Sequence, residues 1–276
     1  MSLSYLVATD MSARSDRALR RAVQLADATG ATLSVLHVVD DATPDTIAVE
    51  LKAACEGDLR RMLEGAPEAV RTTVKVVIGD PTATVIDLVR EMRPDLLIMG
   101  THRDRRFLDS IRETTAQRIV RLTDCPVLVA VDPTEAPYDH ILGATDFSPA
   151  AAAAIKLAHE LAPAARLTPV HSIHVPYQGI LTQAGGTDDI EASFRKAARE
   201  SDARWRREYP LPAAAAPTVI RTGSTLDVLS NEAARGATTL ISAGAHGQVG
   251  QHRALLGSVA TSLMRVPPCD VLIARP

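Results

Sequence analysis

Short apolar runs alternate along this chain with longer segments whose apolar residues recur at helical spacing. The first runs are Tyr5–Ala8, Leu33–Val39, Val74–Ile78, Leu96–Met99 and Val127–Val131. Most are continuous rather than alternating in polarity, with Ser34, His37 and Lys75 the polar residues among them, the mark of strands buried on both faces of a mostly parallel sheet. Between the first two runs, Ala18, Leu19, Ala22, Val23 and Ala26 repeat with a period near 3.6, predicting a helix. Ser12 suits its start and Gly30 its end, where a left-handed residue is easiest to place. Further helices are expected over Asp45–Leu63, from Thr82 and from Glu113. The alternation predicts an α/β fold.

The pattern then repeats. "YLVATDMSARSDRALRRAVQLA" from Tyr5 resembles "HILGATDFSPAAAAAIKLAHELA" from His140, and "ATLSVLHVV" from Ala31 resembles "ARLTPVHSI" from Ala165. "GDPTATVIDLV" at Gly79 pairs with "GSTLDVLSNEA" at Gly223, and "DCPVLVAVD" with "PCDVLIARP". Most of the extra length of the second copy lies between Ile173 and Gly223. A polar, Pro-bearing stretch, Asp132 to Pro137, reads as the linker. The expectation is two tandem doubly wound domains, residues 1–133 and 138–276. Each would hold a mostly parallel five-stranded sheet with helices on both faces, a Rossmann-like arrangement. Ser148 and Pro149 open the first helix of the second copy as Ser12 does in the first.

Composition narrows the partners. A net charge of −3 and 3% aromatic residues argue against nucleic acid or an anionic membrane surface. Three cysteines (Cys55, Cys125 and Cys269) form no CxxC pair, which points away from disulfide or zinc frameworks and towards a reducing cytoplasm. No apolar stretch is long enough to span a bilayer, and no signal-peptide pattern opens the chain.

The candidate chemistry lies after the predicted strands, where ligands bind in open α/β sheets. "GAHGQVGQHRALLGS", Gly244 to Ser258, has the spacing G-x2-G-x9-G-S between a strand and a helix. Gly244 and Gly247 can bring backbone close to a phosphate or take positive φ. Gly257 and Ser258 open a helix whose free N–H groups suit an anion. A lone glycine there would be only a turn; the full spacing in a duplicated α/β domain points to a phosphate or nucleotide.

These residues resemble those of the universal stress protein family, and the likeness runs over nearly the whole chain as two family domains in tandem. "ATDFS", "VHSI", "LISAGAHG", "LLGSVA" and "CDVLIARP" carry it in the second copy. The resemblance implies an adenine nucleotide alpha hydrolase-like fold and ATP as ligand, with AMP or another adenine nucleotide as alternatives and Mg2+ as a companion of the phosphates. It also implies site roles. Asp146, with Thr145 beside it, would meet the adenosine, and Ser172 would offer backbone groups to adenine. Gly244 and Gly247 would flank ribose and phosphates, with His246 between them as a further contact, while Gly257 and Ser258 would hold the phosphate tail. The final strands of the two copies would pair as in the family's dimers, giving an intramolecular pseudo-dimer and leaving further homodimerisation open.

The first copy departs from the pattern. Asp10 and Gly100 are kept, but Arg103 stands at the place of Gly247 and Glu113 at that of Gly257, with Thr114 for Ser258. A carboxylate at that helix start repels phosphate, so one working site per chain is expected. Arg103, Arg105 and Arg106 would pair with Asp104, Asp109 and Glu113.

Other candidates read more plainly. His37 and His171 occupy matching strand positions and are expected to be structural, as is Trp205. Residues 174–191 form a long glycine-bearing segment suited to a lid. No general base, activated nucleophile or Walker lysine accompanies the glycines, so hydrolysis would at most be slow. The functional expectation is an ATP-binding stress-response regulator with an unknown signalling partner; a ligand-independent interaction module is the alternative.

Overall fold

A computed structural model describes residues 3–101, 114–131, 136–174, 187–247 and 256–276. The chain divides into two compact units, Met1–Pro137 and Tyr138–Pro276. In the first, strands β1 (Ser4–Thr9), β2 (Thr32–Asp40), β3 (Thr72–Gly79), β4 (Leu96–Gly100) and β5 (Val127–Ala130) are all parallel, in the order β3-β2-β1-β4-β5. They are linked by α1 (Ala13–Thr29), α2 (Asp45–Leu63), α3 (Pro81–Met92) and α4 (Thr115–Leu122). The predicted α/β fold is therefore the observed one.

The second unit repeats the plan. β6 (His140–Ala144), β7 (Arg166–Ile173), β8 (Val219–Thr222), β9 (Leu240–Gly244) and β10 (Asp270–Ala274) are parallel in the order β10-β9-β6-β7-β8. Their helices are α5 (Pro149–Leu161), α6 (Thr187–Glu208), α7 (Thr225–Gly236) and α8 (Ser258–Arg265). In both units the strand order reverses beside the first strand. Right-handed crossovers then place the first two helices on one face and the last two on the other. The crevice at that reversal opens beyond the carboxyl ends of β1 and β4, or of β6 and β9.

The central strands β4 and β9 are buried along all but their last residue: Leu96, Leu97 and Ile98 in β4, and Leu240, Ile241 and Ser242 in β9, are inaccessible to solvent. Gly30 ends α1 in the left-handed conformation at φ 69°, its N–H donating to the Ala26 carbonyl. The expected caps form, Ser12 accepting from the Ser15 N–H and Ser148 from the Ala151 N–H. The last helix of the first unit begins at Thr115, with Thr114 as its cap, two residues later than the pattern predicts. Residues 132–135, within the expected linker, lie outside the described residues.

Candidate functional site

Both first strands end in the same strained turn. Met11 at φ 60° and Phe147 at φ 66° take the left-handed region without being glycine, at a cost of about 1–3 kcal/mol each. Hydrogen bonds hold them there. The Thr9 hydroxyl accepts the Met11 N–H at 3.1 Å and the Thr145 hydroxyl accepts the Phe147 N–H at 2.9 Å. The carboxylates just before them accept the N–H of Ser12 and Ser148, at 3.0 and 3.1 Å. The turn therefore fixes Asp10 and Asp146 at the crevice and leads straight into the capped helix.

His37 and His171 support these turns from the neighbouring strand. Their Nδ1 atoms lie 2.9 Å from the Thr9 carbonyl and 2.7 Å from that of Thr145; since a carbonyl only accepts, each Nδ1 carries the proton. Phe147 stacks on His171 at 4.3 Å and meets Trp205 edge-on at 5.7 Å. The buried indole of Trp205 donates to the Ser148 carbonyl at 3.0 Å. The structural expectation for both histidines and for Trp205 holds.

In the second unit a cavity of about 490 Å³ lies at the strand reversal. It brings together every predicted residue: Thr145, Asp146, Ser172, Gly244, His246, Gly247, Gly257 and Ser258. Its size is that of a site for a nucleotide-sized molecule. Four features make it receptive to a polar ligand with an anionic end. Gly257 caps α8 with no side chain, so the helix start carries no side-chain cap bond. Ser258, exposed, is the first helical residue beside it. The His246 Nε2 is buried with no hydrogen-bond partner. Burial, then the Arg275 charge, holds its imidazole below the usual histidine range, so it stands neutral at pH 7. The fourth feature is the room that Gly247 leaves at Asp146, where an added β-carbon would fall 2.6 Å from Oδ2.

The positive φ expected of Gly244 and Gly247 is not taken. Among the described residues the positive-φ glycines are Gly30 and Gly223; Gly244, Gly247 and Gly257 are not among them. Gly244 is required by close packing instead, since a β-carbon would stand 2.8–3.0 Å from Ala150 and the Ala151 nitrogen at the start of α5. Gly100 meets the start of α1 in the same way, 3.0 Å from the Arg14 carbonyl oxygen. Glycine at this place thus seats the first helix on the sheet whether or not the site binds. Gly257 is also tightly held, its N–H donating to the Ala245 carbonyl at 2.8 Å.

The equivalent cavity of the first unit is about 180 Å³. Met99 stands where Ala243 does, and Val38 and Pro81 replace Ser172 and Thr225 on the walls. Ser15, at the place of Ala151, donates to Asp10 Oδ1 at 2.7 Å. Burial raises the Asp10 carboxyl, but hydrogen bonds from Ser12 and Ser15 outweigh it and hold the group below the ordinary range. The helix start is closed as well. Thr114 accepts the Gln117 N–H at 3.2 Å, and Gln117 Oε1 accepts the Thr114 N–H at 2.9 Å, a reciprocal capping box.

Arg103 and Glu113, with the ion pairs expected around them, lie outside the described residues, as do Gly250 and residues 175–186 of the expected lid. Sequence reading missed Thr225 as a cavity residue; His171, read as structural, also lines the cavity. Thr225 stands two residues after Gly223, whose φ of 144° leads the chain into α7 through the cap Ser224; its place just past the repeated glycine was the available signal. Cys125 is half-buried and its thiol is pushed up to about 11, foremost by burial, which keeps it unreactive. Among the described residues no cluster of His, Cys, Asp and Glu could hold a metal ion, and no helix is long and apolar enough to cross a membrane.

Comparison with known proteins agrees with the duplicated fold. The model of the universal stress protein family matches twice, over residues 3–130 and 137–275. The chain belongs to this family. It is 30% identical over 134 residues to universal stress protein A homolog 1 of Coxiella burnetii, covering 45% of this chain and 92% of that protein. Among solved structures, a universal stress protein of Archaeoglobus fulgidus matches with a TM-score of 0.71 at 17% identity, over 99% of this chain and 96% of that one. A protein of unknown function from Pseudomonas aeruginosa PAO1 matches at 0.68 and 21%, over 99% and 92%. These structures are alike in fold.

Proposed function

We propose that this chain is a stress-response regulatory protein that binds an adenine nucleotide, ATP in the first instance, in its second domain only. The observation that carries the reading is the contrast between the two final helices. Gly257 leaves the start of α8 without a side-chain cap beside a 490 Å³ cavity, whereas Thr114 and Gln117 close the start of α4 beside one of 180 Å³. The positive end of α8 and the Ser258 hydroxyl suit the phosphates. Asp146, with Gly247 leaving it room, suits ribose hydroxyls, and the unpartnered His246 Nε2 suits a polar ligand atom. Mg2+ would enter with the phosphates rather than on a cluster of protein ligands. Among the described cavity residues no nucleophile stands hydrogen-bonded to a base; the role proposed is binding and signalling, with hydrolysis at most slow.

The test is an equilibrium titration of the full chain with ATP. Saturation at one nucleotide per chain, lost in Asp146→Ala while the fold is retained, supports the reading. Absence of binding to the wild type refutes it.

A further inference from the structure

We infer that Trp205, which lies outside the cavity, is a positioning residue for Asp146 and couples α6 to the nucleotide affinity of the second domain. The inference rests on the nucleotide reading above. Trp205 is the only tryptophan of the chain and is buried. Its indole N–H donates to the Ser148 carbonyl at 3.0 Å, and the N–H of the same Ser148 donates to Asp146 Oδ1 at 3.1 Å. One residue thus joins α6 to the carboxylate. Phe147 makes a second link. Its ring meets Trp205 edge-on and stacks on His171, while its backbone holds φ 66° beside Asp146. Such a conformation persists only where its surroundings over-determine it.

The first domain builds the same turn from local parts. Ser15 Oγ, which donates to Asp10, also lies 2.9 Å from the Ser12 carbonyl. Ser15 belongs to α1, the helix that Ser12 caps. The second domain has Ala151 at that place, with no hydroxyl to offer. The carbonyl of Ser148, the counterpart of Ser12, is met instead by an indole 57 positions along the chain. The support is local in one domain and comes from another helix in the other.

That other helix is lightly packed. Of the 22 residues of α6, Ala198 and Trp205 are the buried ones among those described. Its remaining ties are polar and run to β8 and the segment before it. Arg195 donates to the Ile220 carbonyl at 3.1 Å, Thr222 donates to Glu191 at 2.8 Å, and Arg206 donates to the Ala216 carbonyl at 2.8 Å. Elements with few buried apolar contacts are the ones that shift at least cost. A shift of α6 withdraws the indole, releases Phe147 from the left-handed region and lets Asp146 turn from the ligand. The coupling is reciprocal, so bound nucleotide holds Trp205 in place.

The experiment is calorimetric titration of the full chain with ATP, for wild type, Trp205→Phe, Trp205→Leu and Thr218→Val, with Trp205 fluorescence followed in the wild type. Trp205→Phe keeps a ring against Phe147 and loses the N–H to Ser148; affinity should fall about fivefold, the order of one neutral hydrogen bond. Trp205→Leu removes the ring as well and should lose about tenfold or more. Thr218→Val is the control for a general weakening of the helix. It removes the hydroxyl that joins Arg206 and Asp202 of α6, at 2.8 and 2.6 Å, so thermal stability should fall while ATP affinity stays within about twofold of wild type. ATP should change the Trp205 emission with the same saturation as the heat, although Trp205 is not on the cavity wall. Should Trp205→Leu fail to fold, Trp205→Phe and the wild-type emission decide. The inference is overturned if the Trp205 variants bind ATP as the wild type does, if Thr218→Val loses affinity in parallel, or if bound ATP leaves the emission unchanged. A wild type that binds no ATP refutes the parent reading, and this inference with it.

Discussion

A β-carbon on Gly247 would stand 2.6 Å from the Oδ2 of Asp146. The glycine is thus the reason the carboxylate can lie where it does, at the lip of the cavity. Gly247 itself is exposed, so Gly247→Ala should leave stability within about 0.5 kcal/mol of wild type. The carboxylate must turn away, and ATP affinity should fall by about tenfold, equivalent to roughly 1.4 kcal/mol. Thermal unfolding and ATP titration of the variant check the two halves; a drop in stability with unchanged affinity would show that Gly247 serves the fold.

Gly244 and Gly100 should behave in the opposite way. Added β-carbons meet the backbone of the first helix of each unit at 2.9–3.0 Å, and backbone cannot swing aside. Gly244→Ala and Gly100→Ala should each destabilise by about 1–3 kcal/mol. The effect of Gly100→Ala is the informative one, because no nucleotide is expected beside it. Chemical denaturation measures both, and a neutral Gly100→Ala would remove the packing explanation.

Stability should fall as the solution is acidified, for a definite reason. His140 is buried, and burial lowers its pKa from 6.5; the Gly236 carbonyl raises it and Arg166 lowers it further, leaving the net shift downward. His246 shifts in the same direction. The unfolded chain therefore takes up these protons first, and stability is lost as pH falls below about 6.5 towards the folded pKa values. Denaturation midpoints between about pH 7 and pH 5 should decline, more steeply in wild type than in His140→Gln. Equal slopes would show that His140 contributes nothing to the dependence.

The strands, the helices and the duplication were legible because they are written in periodicity, and each unbroken apolar run lies in the sheet. Ser12, Ser148 and Gly30 were legible as helix ends because capping depends on residue type at one position. The role of Gly244 was not, since whether a glycine serves φ or close approach depends on what packs against it, here Ala150 and Ala151. The left-handed Met11 and Phe147 carry no signal of their own residue type. The Ser172–Thr225 contact joins positions 53 apart in the chain, so no local pattern marks it. Likewise, the capping box at Thr114 reads as an ordinary helix start until it is compared with the bare Gly257.

The central claim is one nucleotide per chain, held at the uncapped start of α8. ATP titration of wild type, Gly257→Ala and Gly257→Glu tests it most directly, since the alanine variant measures the steric effect of a β-carbon 3.3 Å from the Ala245 carbonyl oxygen and the glutamate adds the charge. The account predicts one ATP per wild-type chain, weakened binding to Gly257→Ala and none detectable to Gly257→Glu with its thermal stability retained. Equal binding by wild type and Gly257→Glu, or two ATP per wild-type chain, would contradict it.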